Sequence, residues 1–170
     1  MPRAYGGRGG DASRPHVRLG VLLWNVDGLD RRLNPVSAPS LSGRVVLVVE
    51  DHDDTRAALV RLLASLGAQV HEATDGLAGL TELARWRPDV VFCDLAMPIM
   101  DGLEFARRMR QNSRYHQVLL IAVTGKDSPG TVRETWQAGF DAHLVKPVTA
   151  EALASIARRL AGGSDLLSTA

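Results

Sequence analysis

Five apolar runs of strand length recur between residues 44 and 145, and a segment of helical period separates each run from the next. No other feature constrains the fold as tightly. Strands joined by helical crossovers pair in parallel, and the crossovers cover both faces of the sheet. The strands are expected near 44–49, 68–72, 89–93, 118–123 and 141–145, and the helices near 54–66, 75–86, 101–112, 128–138 and 149–161. In the first helix Leu59, Leu62, Leu63 and Leu66 fall at i, i+3, i+4 and i+7, one apolar stripe. Asp54 is placed to cap it and Gly67 to end it. The second helix opens after Asp75-Gly76, carries Leu77, Leu80 and Leu83, and is stopped by Pro88. The expected fold class is α/β: a doubly wound, five-stranded parallel sheet with five helices in three layers.

The ends of these runs are polar. Glu50 and Asp51 close Val45–Val49, and Asp94 closes Val90–Cys93. Thr124 closes Leu119–Val123, while Lys146, followed by Pro147, closes His143–Val145. Open parallel sheets bind ligands at the carboxyl ends of their strands. Three acids, a hydroxyl and an ammonium at that edge suit a hard cation and a phosphoryl group. Neighbouring carboxylates repel, and a cation relieves the repulsion; Mg²⁺ takes oxygen ligands and keeps several waters. Asp94 can then act as a nucleophile, since carboxylates form acyl phosphates. Lys146 offers a compact positive charge to the transferring oxygens, and Thr124 offers a hydroxyl hydrogen bond. Each residue alone is weak support, because an acidic pair often caps a helix and Lys-Pro often makes a turn. Their joint placement at strand ends carries the assignment.

Composition narrows the function further. The chain has 170 residues, 45% hydrophobic and 23% charged, as in ordinary globular proteins. Residues 1–43 hold six Arg and three Asp, a balance of +3, and the remaining 14 basic and 16 acidic residues give −2. The expected folded part is therefore not a basic nucleic-acid binder. A single cysteine excludes an intramolecular disulfide and fits a reducing, cytoplasmic compartment. No apolar stretch approaches the roughly 18 residues of a spanning helix, so no membrane partner is expected. Residues 1–43, rich in Gly, Arg, Pro and Ser, read as a flexible leader or linker, and residues 162–170 as a short tail. Gly6 to Gly10 follows no strand and opens no helix, so it does not make a dinucleotide fingerprint.

Residues 44–161 resemble the receiver domain of bacterial two-component response regulators, which has a flavodoxin-like fold. The resemblance rests on Val46-Leu47-Val48-Val49-Glu50-Asp51, Asp94-Leu95-Ala96-Met97-Pro98-Ile99-Met100-Asp101-Gly102, Val123-Thr124-Gly125 and Val145-Lys146-Pro147. The intervals match too, with 43 residues from Asp51 to Asp94, 30 more to Thr124 and 22 more to Lys146. It implies that Asp94 accepts a phosphoryl group from a histidine kinase or a phosphotransfer protein. It implies Mg²⁺, with Mn²⁺ as a substitute, held by Asp51, Asp94 and the Ala96 backbone carbonyl, with Glu50 acting through water. Thr124 and Lys146 would contact the phosphoryl group, and the Lys146-Pro147 bond would be cis. The family couples this to a switch in Thr124 and an aromatic residue three before the lysine, which here is His143. Imidazole is planar and titrates near neutrality, so the switch would acquire a pH dependence. Ala96 and Lys126 occupy the positions that tune dephosphorylation. The readout face would be the fourth helix, fifth strand and fifth helix, with Trp136 and Arg158-Arg159 as candidate contacts to a downstream protein; the alternatives are core packing for Trp136 and simple solvation for the arginines.

The implied function is a phosphorylation-controlled signalling module, monomeric or weakly dimeric, that turns over no separate substrate. It would be a single-domain regulator or the receiver part of a hybrid kinase. Nine residues after the last helix leave no room for a helix-turn-helix output. An unphosphorylated scaffold is the alternative, but it would not need the full set of Glu50, Asp51, Asp94, Thr124 and Lys146. A Mg²⁺-dependent aspartyl phosphatase is a further alternative; such enzymes need an acid two residues after the nucleophile, where this chain has Ala96. Cys93 reads as core, and His52 as a loop residue rather than a metal ligand.

Overall fold

The computed structural model describes residues 40–125 and 128–161, except for the side chains at 159 and 161. Its strands are β1 (Val45–Val49), β2 (Gln69–Ala73), β3 (Val90–Asp94), β4 (Leu119–Thr124) and β5 (Ala142–Val145). Its helices are α1 (Asp53–Ser65), α2 (Gly76–Trp86), α3 (Gly102–Gln111), α4 (Pro129–Ala138) and α5 (Ala150–Ala161). Every bound lies within a residue of the sequence expectation. A 3-10 turn at Ser113–Tyr115, which the periodicity does not announce, links α3 to β4.

All strand pairs are parallel and the order is β2-β1-β3-β4-β5. The chain steps outward from β1 to β2 and then returns to the other side of β1 to lay down β3. That reversal opens a crevice between the carboxyl ends of β1 and β3, where doubly wound sheets bind their ligands.

The period-2 alternation of the strands divides the core in two. Val46, Val48, Val90, Phe92, Ile121 and Val123 pack with Leu59 and Leu63 of α1 and with Leu153, Ile156 and Ala157 of α5. Leu47, Val49, Val91, Cys93, Leu120 and Ala122 pack on the opposite face with Leu83, Phe105, Met109 and Ala138 from α2, α3 and α4. Leu41 precedes the regular pattern, yet it is buried in the first of these layers and its N–H donates to the Leu66 carbonyl at 2.7 Å.

One local expectation is corrected. Asp54 does not cap α1. The helix begins at Asp53 with His52 in the cap position and no side-chain cap bond. The Asp53 carboxylate is engaged by Arg56 instead, and both first-turn acids favour the positive end of the helix dipole. Of the three α2 leucines, Leu77 is 52% exposed. The buried positions of α2 are Gly76, Gly79 and Leu83, because the glycines let the helix approach the Met100 backbone and Phe105 closely. Leu80 is partly buried on the same layer.

Side-chain caps set the helices that flank the crevice. Asp75 accepts the Leu77 and Ala78 N–H groups at 2.8 and 2.9 Å, and Asp101 accepts the Glu104 N–H at 2.7 Å. Gly102 then seats the start of α3 against the end of β3. A Cβ there would overlap the Asp94 carbonyl oxygen and lie 3.0 Å from the Leu95 Cα. Gly102→Ala should therefore lower the unfolding free energy by at least about 2 kcal/mol. Urea denaturation measures this, and an unchanged midpoint with an unchanged slope would refute the contact.

Candidate functional site

Strand register brings the predicted residues to one edge. Val49 lies opposite Cys93, Asp94 opposite Val123, and Thr124 opposite Val145. Glu50 and Asp51, Asp94, Thr124 and Lys146 thus leave four strands at the same height. The Lys146 N–H donates to the Thr124 carbonyl at 2.8 Å, which carries the β4–β5 pairing up to the site. The Lys146-Pro147 peptide is cis.

The acids form one cluster. Carboxylate oxygens of Glu50, Asp51 and Asp94 lie within 4.8 Å of one another. Glu50 is 2% exposed and Asp94 7%, while Asp51 is half-buried. Lys146 lies between two of them, its Nζ donating to Glu50 Oε2 at 2.8 Å and to Asp94 Oδ2 at 3.0 Å. The other Asp94 oxygen, Oδ1, accepts the Leu95 N–H at 2.8 Å. Among the described residues the Asp51 carboxylate has no hydrogen bond or ion pair. A set of hard oxygen donors this close suits a divalent cation such as Mg²⁺.

Electrostatics follow from burial. Burial pushes the Glu50 carboxyl above its usual range, the nearby Asp94 adds to that, and the Lys146 hydrogen bond works against it. For Lys146, burial alone would lower the ammonium pKa, but the hydrogen bonds to Glu50 and Asp94 outweigh it and the net shift is upward. The ammonium therefore stays charged across the neutral range. The Cys93 thiol is pushed well up by burial, with Asp94, Glu50 and Asp101 adding to the effect. It donates to the Asp94 carbonyl at 3.1 Å. A buried, neutral thiol belongs to the core, as the strand alternation implies.

The remaining predicted residues are placed as follows. Thr124 is buried at the end of β4. Ala96 is exposed two residues beyond Asp94. His143 is half-buried in β5 opposite Ala122, with both ring nitrogens shielded from solvent. His52 is exposed. Trp136 is half-buried on α4 and Arg158 exposed on α5. Lys126 and residues 1–39 of the expected leader, with the Gly6 to Gly10 run, lie outside the described residues, whereas Leu41 of the same stretch packs into the core.

The sequence reading missed Arg56. Its guanidinium reaches back to the Glu50 carbonyl at 3.0 Å while also binding Asp53 and Glu72. The i,i+3 pair Asp53–Arg56 was visible as a helix pattern, but its reach to the acidic pair was not.

The response regulator receiver domain profile matches residues 46–158. The chain belongs to the response regulator receiver family. A sensor histidine kinase of Helicobacter pylori, CheAY, is 33% identical to this receiver over 128 residues, covering 74% of the chain and 16% of the relative. The Escherichia coli regulator of RpoS is 34% identical over 108 residues, covering 64% of the chain and 32% of the relative. The chain thus spans a third or less of these two relatives. Among solved structures, a Vibrio cholerae chemotaxis protein superposes with a TM-score of 0.65 at 32% identity, over 68% of the chain and 97% of that protein. The receiver domain of a Pseudomonas aeruginosa sensor histidine kinase, solved with magnesium coordinated in its active-site cleft, gives 0.65 at 30% identity over 69% and 97%. No helix among the described residues of this receiver is long and apolar enough to cross a membrane.

The ion bridge makes a pH-dependent prediction. Because the folded-state pKa of Glu50 is raised, its favourable contribution is fully present below the unfolded carboxyl value and is lost as pH rises through the folded value. At neutral pH the ionised, buried Glu50 is offset by Lys146. Lys146→Met in metal-free buffer should lower stability at pH 7 by about 1–3 kcal/mol. That deficit should shrink as pH falls and Glu50 is protonated. Urea midpoints at neutral and acidic pH check this, and a deficit independent of pH would sink it.

Proposed function

We propose that this receiver takes a phosphoryl group onto Asp94 in a Mg²⁺-dependent reaction and thereby switches a protein-binding face. The observation that carries the proposal is the position of Asp94. Its carboxylate is nearly buried, clustered with two further carboxylates, and hydrogen-bonded to a lysine. A structural core has no use for three acids at one edge, but a phosphoryl-transfer site does.

Asp51, Asp94 and the Ala96 backbone carbonyl would hold the cation, with Glu50 acting through water; Mn²⁺ has the same ligand preference. Bound there, it would neutralise charge on the transferring oxygens. In the transfer, an Asp94 carboxylate oxygen forms the new O–P bond. The bond from phosphorus to the donor breaks, and its electron pair leaves with the donor, an imidazole nitrogen in a phosphohistidine or a carboxylate oxygen in acetyl phosphate. The Lys146 ammonium, already 3.0 Å from Asp94, shifts its hydrogen bond to a phosphoryl oxygen. The Thr124 hydroxyl, at the next strand end, donates to another.

That second contact supplies a switch. Phosphorylation biases a two-state equilibrium only through contacts that differ between the states. Thr124 moving toward the phosphoryl group leaves room beside β4, and His143, one strand over, fills it. The altered face comprises α4, β5 and α5. Partners are a phosphohistidine-bearing kinase or phosphotransfer protein upstream and a protein effector downstream, in the cytoplasm. The Ala96 methyl gives no acid for rapid turnover, so the acyl phosphate serves as a signal whose lifetime Ala96 and Lys126 tune.

Intact-protein mass spectrometry after incubation with acetyl phosphate and Mg²⁺ tests this. The wild type should gain one phosphoryl group, and chelation of the metal should abolish the gain. Asp94→Asn should gain none, because an amide is a far poorer nucleophile. Equal labelling of Asp94→Asn would move the acceptor elsewhere.

A further inference from the structure

Every polar group of the buried Glu50 is held. Its N–H donates to the Ala73 carbonyl at 3.0 Å, Oε1 accepts the His52 N–H at 3.3 Å, and Oε2 accepts Lys146 at 2.8 Å. Its carbonyl accepts the Arg56 Nη1–H at 3.0 Å. The peptide joining Glu50 to Asp51 is planar. Holding its carbonyl therefore fixes the peptide plane and the N–Cα bond about which the Asp51 side chain is set. Asp51 has no partner of its own among the described residues, so its aim depends on that peptide.

Arg56 is itself oriented from two sides. Its Nη2–H donates to Asp53 Oδ1 at 2.6 Å and its Nε–H to Glu72 Oε2 at 3.3 Å. Its side chain is only 14% exposed. Three different nitrogens of one rigid fork thus tie α1, β2 and the end of β1 together. An ammonium on a flexible stem cannot reproduce that geometry.

We propose that Arg56 is a positioning residue for the cation site, directing the Asp51 carboxylate through the Glu50 carbonyl. The proposal rests on Glu50, Asp51 and Asp94 being that site. It makes a prediction opposite in sign to simple electrostatics. A cation near a cation site repels the ion, so removing Arg56 should tighten Mg²⁺ binding if charge is its only effect. If Arg56 positions a ligand, removing it should weaken binding, as changes behind the ligands of metal sites do, by about tenfold.

Calorimetric titration of Mg²⁺ into the full chain, Arg56→Gln and Arg56→Lys decides between these. Binding is measured at a temperature where circular dichroism shows each protein folded, with urea stability recorded separately in metal-free buffer. Both variants should bind about tenfold more weakly than wild type. Arg56→Lys should not restore affinity although it keeps the charge. Equal or tighter binding by Arg56→Gln, or wild-type binding by Arg56→Lys, would overturn the positioning role. Should Arg56→Gln fail to fold, Arg56→Lys alone carries the test. Absence of binding in the wild type would overturn the cation site itself and the role of Arg56 with it.

Discussion

Three carboxylates meet at one edge of the sheet, and their mutual repulsion is the constraint around which the rest is arranged. Lys146 answers it from within the chain, donating to Glu50 and Asp94 together. The arrangement works only because β5 ends level with β1 and β3 although β4 and β3 stand between it and β1. A parallel sheet with its twist carries Lys146 over the crevice, and the two hydrogen bonds keep its ammonium charged despite burial. One positive charge against three negative ones leaves the cluster with a net deficit, which is the electrostatic reason that it suits a divalent ion.

The backbone beneath the cluster is fixed as firmly as the charges. Gly102 sits on the Asp94 carbonyl, and the Gly102 N–H bonds the Leu95 carbonyl at 3.0 Å. Gly76 N–H bonds the Met100 carbonyl at 3.1 Å, tying α2 to the same loop. Between them Ile99 is held at φ +67°, a conformation that a β-branched residue resists, while its side chain is 81% exposed. Such strain typically costs about 1–3 kcal/mol and survives only where the surroundings over-determine the backbone. Here the surroundings are the caps of α2 and α3 and the two glycine contacts. Asp94 thus stands on a segment anchored at both ends.

At the far edge of the sheet a second network closes the fold. Arg110 of α3 donates to the carbonyls of Gly139, Tyr115 and Val118 and pairs with Asp141, which accepts the Leu120 N–H. One guanidinium satisfies the end of α4, the 3-10 turn and the starts of β4 and β5. The two edges divide the work: glycines and acids build the site at one, and a half-buried arginine clamp ties the strand starts at the other.

Local pattern made most of the architecture legible. Strand and helix positions followed from apolar periodicity, because each run must bury its own face whatever its neighbours are. The strand-terminal Glu50, Asp51, Asp94, Thr124 and Lys146 were legible for the same reason, since ending a buried run with a polar residue exposes it at the sheet edge. The order β2-β1-β3-β4-β5 and the register decide which of those residues touch, and these are non-local. That Lys146 bridges Glu50 and Asp94, that Leu77 faces outward because glycines take the inner face of α2, and that Arg56 reaches back to the Glu50 carbonyl depend on distances between elements far apart in the chain. The sequence by itself determined the elements and the chemistry at their ends. Only tertiary packing decided the partners, because hydrogen bonds act over about 3 Å, and no spacing along a chain specifies that distance across a fold.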